Sequence, residues 1–232
     1  MVKLRLWLSP GACSLAPHVA LQESGLAFEI LIIDITKPPY GFPEKYQHIN
    51  PKKRIPILEY DDQIITETTA IMTATSQLAP DKHLFGKTNL EVIRTYEWLN
   101  WLSGTVHERG LGALFSPQWY VDNATAQEGV SQKARTWVDH CFGLIENRLA
   151  DSKTTYASGD DFTVADIFLW VMYRWGYLLK IDMEKQYPSW TKLAAEVVKR
   201  EAVKAAVEKE GIPMIRDNRA PPEYGTMHDR GF

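Results

Sequence analysis

The sequence predicts a small α/β unit followed by an all-α helical bundle. Two observations carry this expectation. Up to about Pro80 the apolar runs are short, are broken by Pro and Gly, and alternate between strand-like and helix-like texture. Beyond about Leu90 strand-like runs stop, and apolar residues recur three and four apart, which is the spacing of one helix face. A third observation sets the boundary: residues 79–89 hold Pro80, Gly86 and several polar residues and read as a linker. The expected division is 1–80 for the α/β unit, 81–89 for the linker, 90–210 for the helical unit and 211–232 for a loosely packed tail rich in Pro, Gly and charge.

Each element has a local reason. Leu4–Leu8 is a short apolar strand. Residues 14–24 read as a helix, with Ser14 as N-cap, Pro17 tolerated in the first turn and Gly25 as the stop. Residues 28–33 are rich in β-branched side chains and read as a buried strand. Two prolines and a glycine make 37–41 a loop. Residues 55–60 and Gln63–Thr66 are short strands joined at Asp61-Asp62, and Thr68–Leu78 has helical spacing. The order strand, helix, strand, loop, strand, strand, helix calls for a mixed sheet. In the second unit 91–107, 124–149, 164–179 and 188–207 read as helices, and Thr163 with Asp166 forms a capping-box pattern.

Composition excludes several function classes. The 232 residues are 45% hydrophobic and 24% charged, ordinary for a globular protein and unlike a disordered chain. A net charge of −3, with Lys and Arg spread along the chain, does not give the basic footprint of a nucleic-acid binder. No apolar run approaches the ~18 residues of a membrane span, and no signal-peptide pattern follows Met1. Two cysteines, Cys13 and Cys141, make no disulfide framework and suit a reducing, cytoplasmic compartment. No His/Cys cluster has metal-ligand spacing, so no metal is expected, and neither a phosphate-cradling glycine loop nor a Gly-x-Ser-x-Gly elbow occurs.

Four places can carry chemistry. Cys13 sits between a strand and a helix start, where exposed N–H groups and the positive end of the dipole favour a thiolate, its own or a ligand's. It reads equally as a small buried hydrophobe. Ile55-Pro56 lies where a loop enters a strand. A cis bond there would turn the Ile55 backbone outward to pair with a peptide-like ligand, while Lys52, Lys53 and Arg54 either meet an anion or form a solvated basic turn. Glu67 and Thr68 close a strand and open a helix. They suit an ammonium group and a carboxylate, or only a cap. His107 follows Asn100 and Ser103 on a helix and otherwise reads as a structural histidine. Trp119, Tyr120, Trp170 and Trp175 are among the many aromatics that fill the core or wall an apolar pocket between the units.

Together these segments resemble the glutathione transferase superfamily, and its bacterial beta class most closely. Residues 9–18 (Ser-Pro-Gly-Ala-Cys-Ser-Leu-Ala-Pro-His) look like that class's first strand-to-helix turn with its cysteine. Asn50-Pro51-Lys52 through Ile55-Pro56-Ile57-Leu58 is similar to the cis-proline segment, Thr66-Glu67-Thr68 to the γ-glutamyl-binding segment, and Phe162 to Ile167 to the capping box of the helical domain. The order and spacing match to about Gly211.

The resemblance implies a thioredoxin-like N-terminal domain, an all-helical C-terminal domain and a homodimer. It also implies a detoxifying transferase that joins glutathione, as co-substrate, to a small hydrophobic electrophile. Under it Cys13, Ser14 and His107 serve catalysis, with Cys13 at the glutathione sulfur. Lys37, Lys52, Arg54, Ile55, Pro56, Glu67, Thr68 and Asn100 serve glutathione binding. Three positions depart from the pattern: Lys53 stands where Gly is usual, Thr68 where Ser is usual, and Glu108 where a basic residue is frequent. Two other readings stay open: a glutathione-dependent thiol-disulfide oxidoreductase or peroxidase working through Cys13, and a non-catalytic binding protein of the same fold.

Overall fold

The computed structural model describes residues 2–33, 35 and 41–215. Strand β1 (Leu4–Leu8) leads into helix α1 (Leu15–Ser24), which ends at Gly25 in the left-handed conformation. Strands β2 (Glu29–Ile32), β3 (Ile57–Tyr60) and β4 (Gln63–Thr66) follow, and helix α2 (Thr68–Leu78) closes the unit. The sheet order is β2-β1-β3-β4. β1 pairs parallel with β2 through the α1 crossover and antiparallel with β3, and β3–β4 is a hairpin. This is the expected mixed sheet of a thioredoxin-like unit.

β2 corrects one expectation. It is an edge strand with Ile32 exposed, and only Ile33 beyond its end is buried. Its β-branched run reports strand propensity, while the interior place belongs to β1, which is paired on both sides.

The segment expected as the linker packs against the helical unit. Leu84 and Phe85 are buried, and the Leu84 carbonyl accepts from Val164 N–H at 2.9 Å. Helix α3 (Asn89–Trp101) starts in a capping box of Thr88 and Glu91. The single helix expected over 91–107 divides here: a π-helix (Leu102–Gly112) continues the axis into α4 (Ala113–Phe115). Apolar spacing alone does not separate the two, since a π-turn takes one more residue before its bond closes.

Helices α5 (Ala124–Ala150), α6 (Val164–Leu178), α7 (Met183–Gln186), α8 (Pro188–Val197) and α9 (Glu201–Glu210) complete the bundle. The helix expected over 188–207 is therefore two helices, broken at Val198 to Arg200, where Arg200 takes an extended conformation. α6 is the axis of the core, buried from Val164 to Gly176. Its capping box forms as its pattern implies. Asp166 accepts from Thr163 N–H at 2.7 Å, from the Thr163 hydroxyl at 3.1 Å and from Ala157 N–H at 2.8 Å.

The start of the supposed loose tail is docked. Ile212 is buried, and the buried Arg174 donates to the Pro213 and Met214 carbonyls at 2.9 and 3.1 Å. The rest of that tail lies outside the described residues. Helix α1 is buried on nearly every side, with eight of its ten residues inside. α2 packs against it from its own unit, and α6 and α9 from the helical unit.

Candidate functional site

The site is built on the turn between β1 and α1. Ala12 N–H bonds the Ser9 carbonyl at 3.1 Å and Leu15 N–H bonds the Ala12 carbonyl at 3.0 Å, so the chain tightens before the helix begins. Gly11 adopts φ +71°, a conformation that other residues reach only at a cost of ~1 kcal/mol or more. The Ser14 hydroxyl does not cap α1 as expected. It donates to the Ser9 carbonyl and accepts from Ser9 N–H, both at 3.1 Å. Ser14 is fully buried, so its short hydroxyl binds the turn's own backbone rather than the helix N–H groups.

Cys13 points across to the loop before β3. Its thiol donates to the Ile55 carbonyl at 3.6 Å, and the Thr68 hydroxyl reaches the same sulfur. The structure therefore brings Cys13, Ile55 and Thr68 to one point, where α1 and α2 both begin. Thr68 is the first residue of α2, and Glu67 precedes it at φ +75°. The Ile55-Pro56 bond is cis.

The thiol's electrostatics reverse the expectation drawn from helix position. Burial pushes Cys13 up from 9.0 to about 11, against the opposing pulls of the Thr68 hydroxyl, the backbone N–H groups and Arg54. Desolvation of the charged sulfur outweighs the helix start, so Cys13 is a protonated donor at neutral pH.

The basic segment is ordered by Asn50. Its side chain donates to the Arg54 carbonyl at 2.8 Å and accepts from Lys52 N–H at 3.1 Å. Lys53 takes φ +58°, the left-handed conformation that suits glycine, so the loop keeps a glycine-like path with lysine in place. Lys52 donates to the Thr66 hydroxyl at 2.6 Å and pairs with Glu67. Arg54 turns away to the helical unit, where it pairs with Glu108 at 3.0 Å and lies 4.0 Å from the Trp119 ring centre. The departure at Glu108 thus supplies a partner for Arg54.

His107 sits on the π-helix against aromatic rings, 5.3 Å from Trp175 and 6.2 Å from Phe168. Burial there pushes its imidazole down to about 4, so it is neutral and only a weak base at physiological pH. Trp175 carries the site onward, since its indole N–H donates to the Gly11 carbonyl at 3.0 Å. Asn100 is exposed on α3, and its side chain makes no hydrogen bond among the described residues. Lys37 lies outside the described residues. A separate groove of about 670 Å³ opens at the far end of α1, between Glu23, Tyr156, Lys199 and Arg200. The Glu23–Arg200 ion pair crosses it, which suits no apolar electrophile.

Sequence reasoning missed Glu210. It donates no motif, yet its carboxylate reaches Gly11 N–H at 2.8 Å and His18 Nδ1 at 2.8 Å. A buried histidine in α1 demands a partner, but the sequence does not say which of 29 acidic residues supplies it.

Comparisons with known proteins identify the family and the fold. Residues 11–76 match the family model for the glutathione S-transferase N-terminal domain, and 113–210 match that for the glutathione S-transferase C-terminal domain. The chain is 32% identical over 183 residues to glutathione S-transferase GstA of Escherichia coli O157:H7, covering 78% of this chain and 86% of that one. Among solved structures it is similar to a sphingomonad glutathione S-transferase complexed with glutathione, at 32% identity and a TM-score of 0.74 over 90% of this chain and 100% of that one. It is also similar to the beta-class enzyme of Sphingomonas chungbukensis, at 30% identity and a TM-score of 0.74 with the same coverage.

Proposed function

The chain belongs to the glutathione S-transferase family, and from that premise we propose that it joins the glutathione thiolate to small apolar electrophiles. One observation carries the reading: Cys13, the Ile55 carbonyl and the Thr68 hydroxyl converge at the starts of α1 and α2. In this reading the Ile55 backbone pairs with the cysteinyl residue of glutathione, and Glu67 and Thr68 hold its γ-glutamyl end. Pro56 shapes that backbone, and Lys52, Arg54 and Asn100 are the remaining candidate contacts for the ligand.

The chemistry follows from protonation. Cys13 retains its proton, so it donates a hydrogen bond to the bound thiolate rather than forming one itself. The N–H groups at the start of α1 add their positive end of the dipole. The proton the glutathione thiol releases leaves to solvent, since His107, pushed down to about 4, is too weak a base to hold it. Lowering that thiol by about two pKa units needs ~2.7 kcal/mol of differential stabilisation, which two or three charge-assisted hydrogen bonds supply. The same protonated Cys13 disfavours the thiol-exchange reading, in which its own thiolate must attack.

Residues 1–80 then supply the glutathione half of the site and 90–210 the electrophile half. The working unit is a cytoplasmic homodimer with a detoxifying role. Leu90 and Ile93, 62% and 61% exposed on α3, support the dimer because side chains of that kind gain by being covered. Sedimentation of Ile93→Glu against the parent chain tests the dimer, and an unchanged, monomeric parent refutes it. Retention on immobilised glutathione, followed by turnover with a panel of electrophiles, tests the activity. A chain that washes through and turns over none of them is the non-catalytic relative instead.

A further inference from the structure

The helical unit grips Gly11 from both sides. Its N–H donates to Glu210 Oε2 at 2.8 Å, and its carbonyl accepts from Trp175 Nε1 at 3.0 Å. The two partners are remote in sequence, 199 and 164 residues away. Glu210 is the last residue of α9, with its side chain 1% exposed. Its other oxygen meets Nδ1 of His18, whose side chain is wholly buried.

A carboxylate so placed is costly unless its oxygens are occupied. Here they are occupied by the backbone of the Cys13 turn and by a side chain of the helix that follows it. Glycine permits the left-handed conformation at position 11, but permission alone leaves the turn free to relax. A directional, charge-assisted bond to its N–H removes that freedom. The indole that completes the grip also lies against His107, 5.3 Å between ring centres.

Resting on the reading of this turn as the thiol site, we propose that Glu210 is a positioning residue: through the Gly11 N–H it fixes where the turn carrying Cys13 meets the reacting sulfur. Trp175 completes the clamp at the Gly11 carbonyl. Thiolate attack is sensitive to displacements of about 1 Å, which cost on the order of a hundredfold in rate. The γ-glutamyl contacts at Glu67 and Thr68 lie on a different element. Loss of the clamp therefore falls on the transition state and spares ground-state binding.

The test compares the full-length chain with Glu210→Ala, Glu210→Gln and Trp175→Phe. Each is assayed for kcat and glutathione KM with chlorodinitrobenzene, and for iodoacetamide labelling mapped to Cys13 and Cys141. Glu210→Ala lowers kcat by about tenfold or more with glutathione KM within about threefold. Glu210→Gln keeps an oxygen for the Gly11 N–H and restores kcat to within about threefold of the parent, while Trp175→Phe lowers it as Glu210→Ala does. Cys13 labelling changes by about fivefold or more in Glu210→Ala and stays near the parent in Glu210→Gln, with Cys141 steady in both.

An unchanged kcat in folded Glu210→Ala overturns the proposal. So does a loss that follows thermal stability equally in the Ala and Gln variants. If Glu210→Ala does not fold, Trp175→Phe decides, and an unchanged kcat there overturns it. If the parent chain turns over no electrophile, the transferase reading fails by itself. Labelling then decides positioning: unchanged Cys13 labelling overturns it and altered labelling sustains it.

Discussion

Lys52 and Glu67 form an ion pair between the loop before β3 and the end of β4, with side chains 52% and 65% exposed. Each is half of a polar site already satisfied by the other. A glutathione ammonium group arriving at Glu67 shares or replaces Lys52. Exposed pairs of this kind are worth ~0–1 kcal/mol, so displacing one is cheap. Glu67→Ala and Thr68→Ala are expected to weaken glutathione binding by roughly ten- to a hundredfold, the worth of a hydrogen bond to a charged group. Lys52→Ala is expected to change it by no more than about fivefold. Titration calorimetry distinguishes the two, and equal losses at Lys52 and Glu67 contradict this division.

Cys13 sets a pH dependence at the alkaline end. Its folded value lies near 11, above its ordinary 9.0, so the native state holds the proton where the unfolded chain releases it. That contribution to stability is present below about pH 9 and is lost as pH rises toward 11. Urea unfolding of Cys13→Ala should therefore decline less steeply across that window than the parent. Alkylation of Cys13 should be slow at neutral pH and accelerate only as pH nears 11. Rapid alkylation at neutral pH would contradict the buried, protonated thiol.

His107 acts at the acid end with the opposite sign. Its folded value is depressed to about 4 from 6.5, so the unfolded state binds more protons in between. Its contribution is present above pH 6.5 and is lost as pH falls through about 4. Asp166, raised by burial from 3.8 to about 6, works the other way: its contribution is present below 3.8 and is lost as pH rises toward 6. His107→Phe keeps an aromatic ring against Trp175 and removes the imidazole's share of the acid slope, leaving the opposing Asp166 share in place. Its unfolding midpoint should fall less than the parent's, or rise, between pH 6.5 and 4, and a steeper fall would refute the assignment.

Lys53 offers a stability test remote from chemistry. It occupies φ +58°, where a side chain costs ~1–2 kcal/mol. Glycine removes that cost but enlarges the entropy of the unfolded chain by ~0.4–1 kcal/mol. Lys53→Gly should be stabilising by about 0.5 kcal/mol, a rise in Tm of ~1–2 °C for a chain of this size. A scanning calorimeter resolves that shift, and a fall in Tm would mean that the lysine side chain contributes more than its backbone costs.

The thioredoxin-like order and the helical unit were legible because their signals are local. Leu4–Leu8, Gln63–Thr66 and Thr68–Leu78 appear at their expected bounds, since turn residues and periodicity mark their ends. The edge position of β2 was not legible, because strand propensity does not report how many neighbours a strand has. The π-turns after Trp101 and the break at Val198 to Arg200 were hidden for a related reason: apolar residues three and four apart continue across both. At the site, the Cys13 turn and the Glu67–Thr68 helix start were readable from motif and dipole. The acidity of Cys13 was not, because it depends on what buries the sulfur from other elements. Glu210 and Trp175 reach Gly11 only through the folded bundle.

The burial of α1 on nearly every side has a consequence for biosynthesis. The α/β unit leaves the ribosome first, with the face of α1 that α6 and α9 will cover still bare. The imidazole of His18, which Glu210 will meet, must wait while well over a hundred further residues are made. The amino-terminal half is thus a client of its own carboxyl-terminal half. A chain released early, before Glu210, exposes an adhesive helix and should be recovered in aggregates or on chaperones rather than as a free, folded fragment.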